Sequence, residues 1–367
     1  MKLFLKHIDL LNFKNFAEVS LNFTNKINCF AGSNGSGKTN LLDAIYYLSF
    51  CKSYFSSSDI DNIKRNDNFF VINGSYDLEE TEENIFCGVK LNSHKQFKRN
   101  KKEYSRLADH IGFIPLVIVS PYDTNLISDG SDERRKFLNN VISQYDKIYL
   151  NNILNYNRLL KQRNILLKDF YQKKHIDFET LEVFDEKMAT YAQPIYQVRN
   201  NFIENLIPVF KEFYNRISGE SENIDIIYQS QLENENLLNL LKNSIEKDNI
   251  MQYTTCGIHK DDLIFKIDDF PIKTNGSQGQ QKSFLLSLKL AQFDFIKQKN
   301  NVLPILLLDD IFDKLDNFRV AQLMQLVGEH HFGQIFITDT DKLRIERVLE
   351  PVKSDYSIFN LEKGVIL

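Results

Sequence analysis

At 367 residues the chain has room for two or three domains, or for one large domain with an insertion, and it can bury a sizeable core. Hydrophobic residues at 43% and charged residues at 26% are ordinary for a soluble globular protein, and the net charge of −4 excludes bulk electrostatics as a reason to bind nucleic acid, so any such contact has to rest on local patches. Cys29, Cys51, Cys87 and Cys256 are scattered without Cys-x-x-Cys spacing, which excludes a visible zinc site or disulfide framework; with no apolar run long enough to span a bilayer, a cytoplasmic protein without a membrane partner is expected.

Residues 2–31 read as three strands. In the first, Phe4, Ile8 and Leu10 are expected on one alternating face interrupted by Lys6; in the second, Val19, Leu21 and Phe23 alternate without a break, and residues 12–16 join the two. The third, 26–31, is short and apolar, and it runs into Gly32-Ser33-Asn34-Gly35-Ser36-Gly37-Lys38-Thr39. That octet fits the phosphate-loop spacing of Gly, four residues and Gly-Lys-Thr, and Leu41, Leu42, Ala44, Ile45 and Leu48 follow it at helical spacing. A strand, a Gly-rich turn and a helix in that order aim backbone N–H groups and a positive helix end at an anion. Lys38 is expected on the β- and γ-phosphates of ATP, and Thr39 on Mg²⁺.

Residues 51–58 are polar and turn-rich and read as a surface loop. Residues 69–76 and 84–91 read as antiparallel strands, with a third near 95–98. The run that follows contains Lys98, Arg99, Lys101 and Lys102; it is either a solvated hairpin tip or a patch that touches DNA phosphates. Residues 114–120 are apolar and β-rich, ended by Pro121.

From 132 to 218 no glycine occurs and apolar residues recur at helical intervals, as expected of a long helical hairpin inserted into a sheet domain. Its second helix spans about 178–216, with Leu181, Phe184, Met188 and Tyr191 on one face and a kink expected at Pro194. A strand near 224–228, a helix near 237–245 and a strand at 263–267 follow. Gly276-Ser277-Gln278-Gly279-Gln280 then leads into a helix through Phe284, Leu285, Leu288, Leu290 and Phe293. Ser277 at the N-cap makes this a second anion-seeking helix end. Since the first loop already grips a nucleotide's one γ-phosphate, the economical use of Ser277, Gly279 and Gln280 is to contact ATP held by another copy of the chain; a ligand-free Gly-rich cap is the alternative.

Residues 304–310 form an apolar strand that ends in Asp309 and Asp310. Asp309 is expected to hold Mg²⁺ through water, and Asp310 to orient the attacking water or act as its general base. Alone the pair could be an ordinary cap; beside a phosphate loop it is a strong signal. Asp313-Lys314-Leu315-Asp316 would then lie at the protomer contact. A helix near 318–327, a strand at 334–338 and a closing strand pair at 356–367 complete the chain.

With these stretches in order, the chain resembles an ABC-type P-loop ATPase head of the SMC kind and, within that group, the RecF family of bacterial recombination mediators. The resemblance is carried by the phosphate loop, by Ser120-Pro121-Tyr122-Asp123 with Asp132-Glu133-Arg134-Arg135-Lys136, and by Gly257-Ile258-His259-Lys260-Asp261-Asp262-Leu263. Residues 277–291 and the metal strand with Leu315-Asp316 complete it. It implies an α/β fold with a mixed β start, a parallel-sheet core and an inserted helical domain, divided as 1–125, 126–250 and 251–367. It also implies an ATP-dependent homodimer on double-stranded or gapped single-stranded DNA, slow DNA-stimulated hydrolysis, partners RecR and RecO, and an indirect effect on RecA. Departures include Asp310 where ABC heads have Glu, and no histidine beside Ile337-Thr338-Asp339, since His330 and His331 come too early. Ser53-Tyr54-Phe55 lacks the family's Arg, the loop after 114–120 lacks a glutamine, and Lys260 stands where Arg is usual. Arg134, Arg135 and Lys136 are a second candidate DNA patch, or partners of Asp132 and Glu133. A transporter's ATPase subunit and a plain NTP-dependent enzyme remain the competing classes.

Overall fold

The computed structural model describes residues 2–219, 222–300, 302–312, 315–328, 332–350, 352 and 355–366. Asp313, Lys314, His330 and His331 lie outside the described residues. Two compact units are present, one made of Met1–Thr124, Glu212–Glu220 and Gln278–Leu367, the other of Asn125–Lys211 and Ser221–Ser277.

The first unit opens with β1 (Leu3–Phe13), β2 (Phe16–Asn22), β3 (Ile27–Ala31) and α1 (Lys38–Phe50). β4 (Phe69–Leu78), β5 (Thr81–Lys90), β6 (Gln96–Arg99), β7 (Lys102–Glu103) and β8 (Leu116–Val119) follow. In β1 the buried side chains are Leu3, Leu5, Ile8, Leu10 and Phe13, not Phe4. The cause is an irregularity in the pairing with β4 between Leu5 and His7, which moves the inward face by one residue around Lys6. The loop at 51–58 is not a plain surface loop either: Ser53 is buried, its Oγ donates to Asp43 Oδ2 at 2.6 Å, and Tyr54 N donates to Asp43 Oδ1 at 2.7 Å.

In the second unit come α2 (Asn125–Ser128), α3 (Ser131–Ile142), α4 (Lys147–Lys173) and α5 (Phe178–Ser218), whose residues from Glu212 count with the first unit. β9 (Ile224–Gln229), α6 (Leu237–Met251), β10 (Asp262–Ile267), β11 (Phe270–Pro271) and α7 (Ile272–Asn275) follow. The helix pair at 147–218 therefore stands as the periodicity predicts. Residues 251–277, expected with the returning ATPase part, group here with the helices. The reason is register: β10 pairs antiparallel with β9 from Asp262↔Gln229 to Ile267↔Ile224. A fully buried Arg163 on α4 ties this unit together, donating to Asp185 on α5 at 2.6 Å and to Asp248 on α6 at 2.7 Å.

The chain then returns to the first unit with α8 (Gln278–Asn300), β12 (Ile305–Leu308), α9 (Asn317–Gly328), β13 (Ile335–Asp339), α10 (Lys342–Leu349), β14 (Tyr356–Glu362) and β15 (Val365–Ile366). This unit holds two six-stranded sheets. One is antiparallel in the order β2-β1-β4-β5-β6-β7; the other runs β15-β14-β3-β13-β12-β8 and is parallel from β14 to β8. Every residue of β3, β8, β12 and β13 is buried, the mark of parallel strands covered on both faces. β13 lies between β3 and β12, so the loops leaving those three strands open side by side at the carboxyl edge of the sheet, where α/β folds bind ligands.

Candidate nucleotide site

The phosphate loop spans the turn from β3 into α1, and its curvature is held from outside. A Cβ on Gly32 would sit 2.3 Å from the carbonyl oxygen of Leu361 on β14, so no side chain fits there. Gly37 adopts φ 114°, in the region that favours glycine, and a Cβ on it would meet Asn15 and Phe16. Asn15 Nδ2 donates to Ser36 O at 3.2 Å, Gly364 N donates to the same oxygen at 2.9 Å, and Asn40 Nδ2 donates to Asn15 Oδ1 at 2.7 Å. Inside this frame the buried Lys38 Nζ donates to Gly32 O at 2.7 Å and to Ser33 O at 3.2 Å.

Residues 270 apart in sequence meet at the next point. Thr39 Oγ1 donates to Asp309, at 2.9 Å to Oδ1 and 3.2 Å to Oδ2. Asp309 follows β12, and its N donates to Val119 O on β8 at 2.8 Å. Burial pushes its carboxyl up to about 6; the hydrogen bonds from Thr338 and Thr39 oppose that rise and the charge of Asp310 adds to it. A hydroxyl and a buried carboxylate that resists ionisation without a counter-charge are hard oxygen donors of the type Mg²⁺ takes. Asp310 sits at φ 44°, and its N–H donates to Thr338 Oγ1 at 2.8 Å, while Thr338 Oγ1 donates to Asp309 Oδ1 at 2.9 Å. Thr338 thus fixes both carboxylate residues from the end of β13, a role its sequence context does not announce. Beside it Asp339, also buried, accepts from Arg344 Nη2 at 2.7 Å.

A second buried cluster lies under the loop at 51–58. Asp123 accepts from Ser120 N at 2.8 Å and from Tyr54 OH at 2.7 Å, and it pairs with Lys289 of α8 at 2.7 Å. Asp123 thus ties the loop after β8 to α8. At the start of α8, Ser277 is the residue before the first turn and is exposed with Gln278; Gly279 and Gln280 fall within that turn. The loop after β12 leads to Asp316, which accepts from Arg319 N at 2.9 Å and pairs with the Arg319 guanidinium; Arg319 Nε also donates to Ser283 Oγ of α8 at 2.6 Å.

The basic candidates separate. Arg99 is engaged internally: its guanidinium makes two bonds to Glu83, at 2.8 and 2.6 Å, holds that carboxyl below the usual range, and lies 3.7 Å over the Phe113 ring. Lys98 and Lys101 line a hollow of about 450 Å³ on the antiparallel sheet, and Lys102 is exposed on β7. In the second unit Arg134 is bonded to Asp262, Arg135 to Asp132 and Asp261 O, and Lys136 to Glu133.

A glycine-rich strand–helix turn facing a strand-end carboxylate across a parallel sheet defines a P-loop nucleotide-binding head, with an inserted helical unit. Residues 4–366 match the family described as RecF/RecN/SMC N terminal domain. The chain is 53% identical to the DNA replication and repair protein RecF of Bacteroides fragilis strain YCH46, covering 99% of this chain and 97% of that one. It is 48% identical to the protein of the same name from Flavobacterium johnsoniae, over 97% of this chain and 99% of that one. Among solved structures it superposes on the recombination mediator protein RecF with ATP with a TM-score of 0.89 and 32% identity, covering 100% of this chain and 97% of the other. The Smc head domain of Pyrococcus furiosus, at 18% identity and a TM-score of 0.58, shares the fold. The chain belongs to the RecF family of DNA replication and repair proteins. Among the described residues no helix is long and apolar enough to cross a membrane.

Proposed function

We propose that this chain is an ATP-driven clamp on DNA, a cytoplasmic recombination mediator that dimerises when ATP is bound and acts at single-strand gaps. The observation that carries the reading is the meeting of Thr39 with Asp309 beside a phosphate loop whose lysine already faces inward. In the loaded site Lys38 moves from the carbonyls of Gly32 and Ser33 to the β- and γ-phosphates, and backbone N–H groups of residues 33–39 cradle the rest. Thr39 and Asp309 would hold Mg²⁺, which would neutralise phosphate charge. Asp310 orients the attacking water; as the shorter acid it supports slow hydrolysis, raised by DNA. Ser277, Gly279 and Gln280 of one protomer contact the nucleotide of its partner. Lys98, Lys101 and Lys102 reach DNA phosphates. The solved RecF–ATP structure is described as a recombination mediator in the RecFOR pathway, which supports RecO and RecR as partners; help in loading RecA is the outcome this reading gives.

Sedimentation of the chain alone, with ATP, and with ATP plus a short duplex tests this. The dimer is expected only with ATP, with duplex co-sedimenting. Lys38→Met should abolish both nucleotide binding and dimerisation; a variant that still pairs in response to ATP would count against the clamp.

A further inference from the structure

The helical unit carries a hollow of about 630 Å³ that the nucleotide site does not use. Its lining comes from four separate elements: Asp132, Arg135 and Lys136 from the start of α3, Tyr156 from α4, Arg199 from α5, and Lys260 with its neighbour His259 from the Gly257–Leu263 stretch. The stretch is shaped to present Lys260. Gly257 sits at φ 114°, and a Cβ there would lie 2.6 Å from Tyr156 OH. His259 forms the floor: its Nε2–H donates to Thr254 O at 3.0 Å, so Nδ1 accepts from Tyr156 OH at 2.9 Å. Burial pushes this imidazole down to about 4, so it adds no charge at neutral pH.

The arginines of the region are spent on structure, Arg135 on Asp132 and on Asp261 O. Arg199 is buried against Asp261 at 2.7 Å, and Arg134 is bidentate to Asp262. The rim is different. Lys260 pairs with no carboxylate among the described residues; its ammonium lies 5.0 Å over the Tyr253 ring. Lys136 pairs only with Glu133 on the surface, an i,i+3 contact of small worth that a stronger anion displaces. On a chain of net charge −4, Lys136 and Lys260 are the two cations of this concavity that the lining itself does not hold, since Arg135 is paired with Asp132 of the same lining.

We propose that this hollow is a binding site for the phosphodiester backbone of nucleic acid, with Lys136 and Lys260 as the phosphate-contacting groups. The proposal rests on the DNA-clamp reading and assigns to the helical unit a contact of its own. The two lysines are point charges and Tyr156 is too buried to stack on a base, so the contact reads charge and spacing and is indifferent to sequence.

The test is anisotropy of a labelled short duplex with the full chain, ATP and Mg²⁺ across a salt series. Lys136→Gln with Lys260→Gln should weaken binding about tenfold and flatten the log–log salt dependence by about one to two ions, with nucleotide binding unchanged. Glu133→Gln, which releases Lys136, should tighten binding. Unchanged affinity and slope in the double variant, or no gain in Glu133→Gln, would overturn the site while leaving the clamp standing. A wild-type chain that binds no duplex with ATP would overturn the clamp reading and the site with it.

Discussion

Thr338→Val isolates the geometry of the strand edge that carries Asp309 and Asp310. The substitution keeps the β-branch and removes one hydroxyl, which accepts from Asp310 N–H and donates to Asp309 Oδ1. A hydrogen bond to a charged group contributes about 1.5–3 kcal/mol, and an N–H left without its acceptor costs roughly 1–3 kcal/mol more. Asp310 also sits at φ 44°, a left-handed conformation that costs a non-glycine residue about 1–2 kcal/mol. With its N–H released, the turn after β12 should relax and the Asp310 carboxylate should lose the placement that its proposed role with the attacking water needs. If about 1.5–3 kcal/mol of this appears in the transition state, ATP turnover falls roughly 10- to 150-fold. The phosphate loop is untouched, so nucleotide affinity should change by no more than about threefold. Thr338→Ser keeps the hydroxyl and should recover most of the rate. Steady-state turnover with duplex present, read beside equilibrium binding of a fluorescent ATP analogue, separates the two effects. Turnover of Thr338→Val within about twofold of wild type would refute the positioning role.

Gly32→Ala forces a Cβ into Leu361 O at 2.3 Å, backbone against backbone, and overpacking of about 1–3 kcal/mol should lower ATP affinity at least about tenfold in equilibrium binding. Ser277→Arg should leave ATP affinity intact and block ATP-dependent pairing in sedimentation; normal pairing would remove the proposed contact across protomers. Arg163→Met strands Asp185 and Asp248 in the core and should cost about 3–5 kcal/mol in urea unfolding of the helical unit. Burial already holds the Asp185 carboxyl above the usual range despite Arg163. Without the arginine it rises further; a folded pKa above the unfolded one means stability is lost as pH rises. The deficit should therefore shrink toward pH 5 and widen toward pH 8, and a pH-independent deficit would contradict the burial argument.

What the sequence made legible was local chemistry. The phosphate loop, the apolar strand ending in Asp309 and the glycine-free helical stretch each carry their signal in consecutive residues, and each folds where its pattern says. Residues 251–277 were harder, because their grouping depends on β10 pairing with a strand on the far side of α6. On β1, Ile8 and Leu10 lie on the expected inward face and only Phe4 does not, because one irregularity at Lys6 shifts the alternation. Asn15, Gly364 and the Asp123–Lys289 pair were invisible for a different reason: each acts on a residue remote in sequence, and only the strand order brings them together. Thr338 is the sharpest case. Sequence comparison with ABC heads looks for a histidine at the end of this strand and finds Thr338-Asp339. Yet the strand end still performs a holding function, because β13 lies between the strand that feeds the phosphate loop and the strand that feeds Asp309. Any short hydroxyl there reaches both carboxylate residues. A threonine hydroxyl does not titrate in the neutral range, whereas imidazole does, so this chain holds Asp309 and Asp310 in place by a contact whose strength does not depend on a histidine's charge.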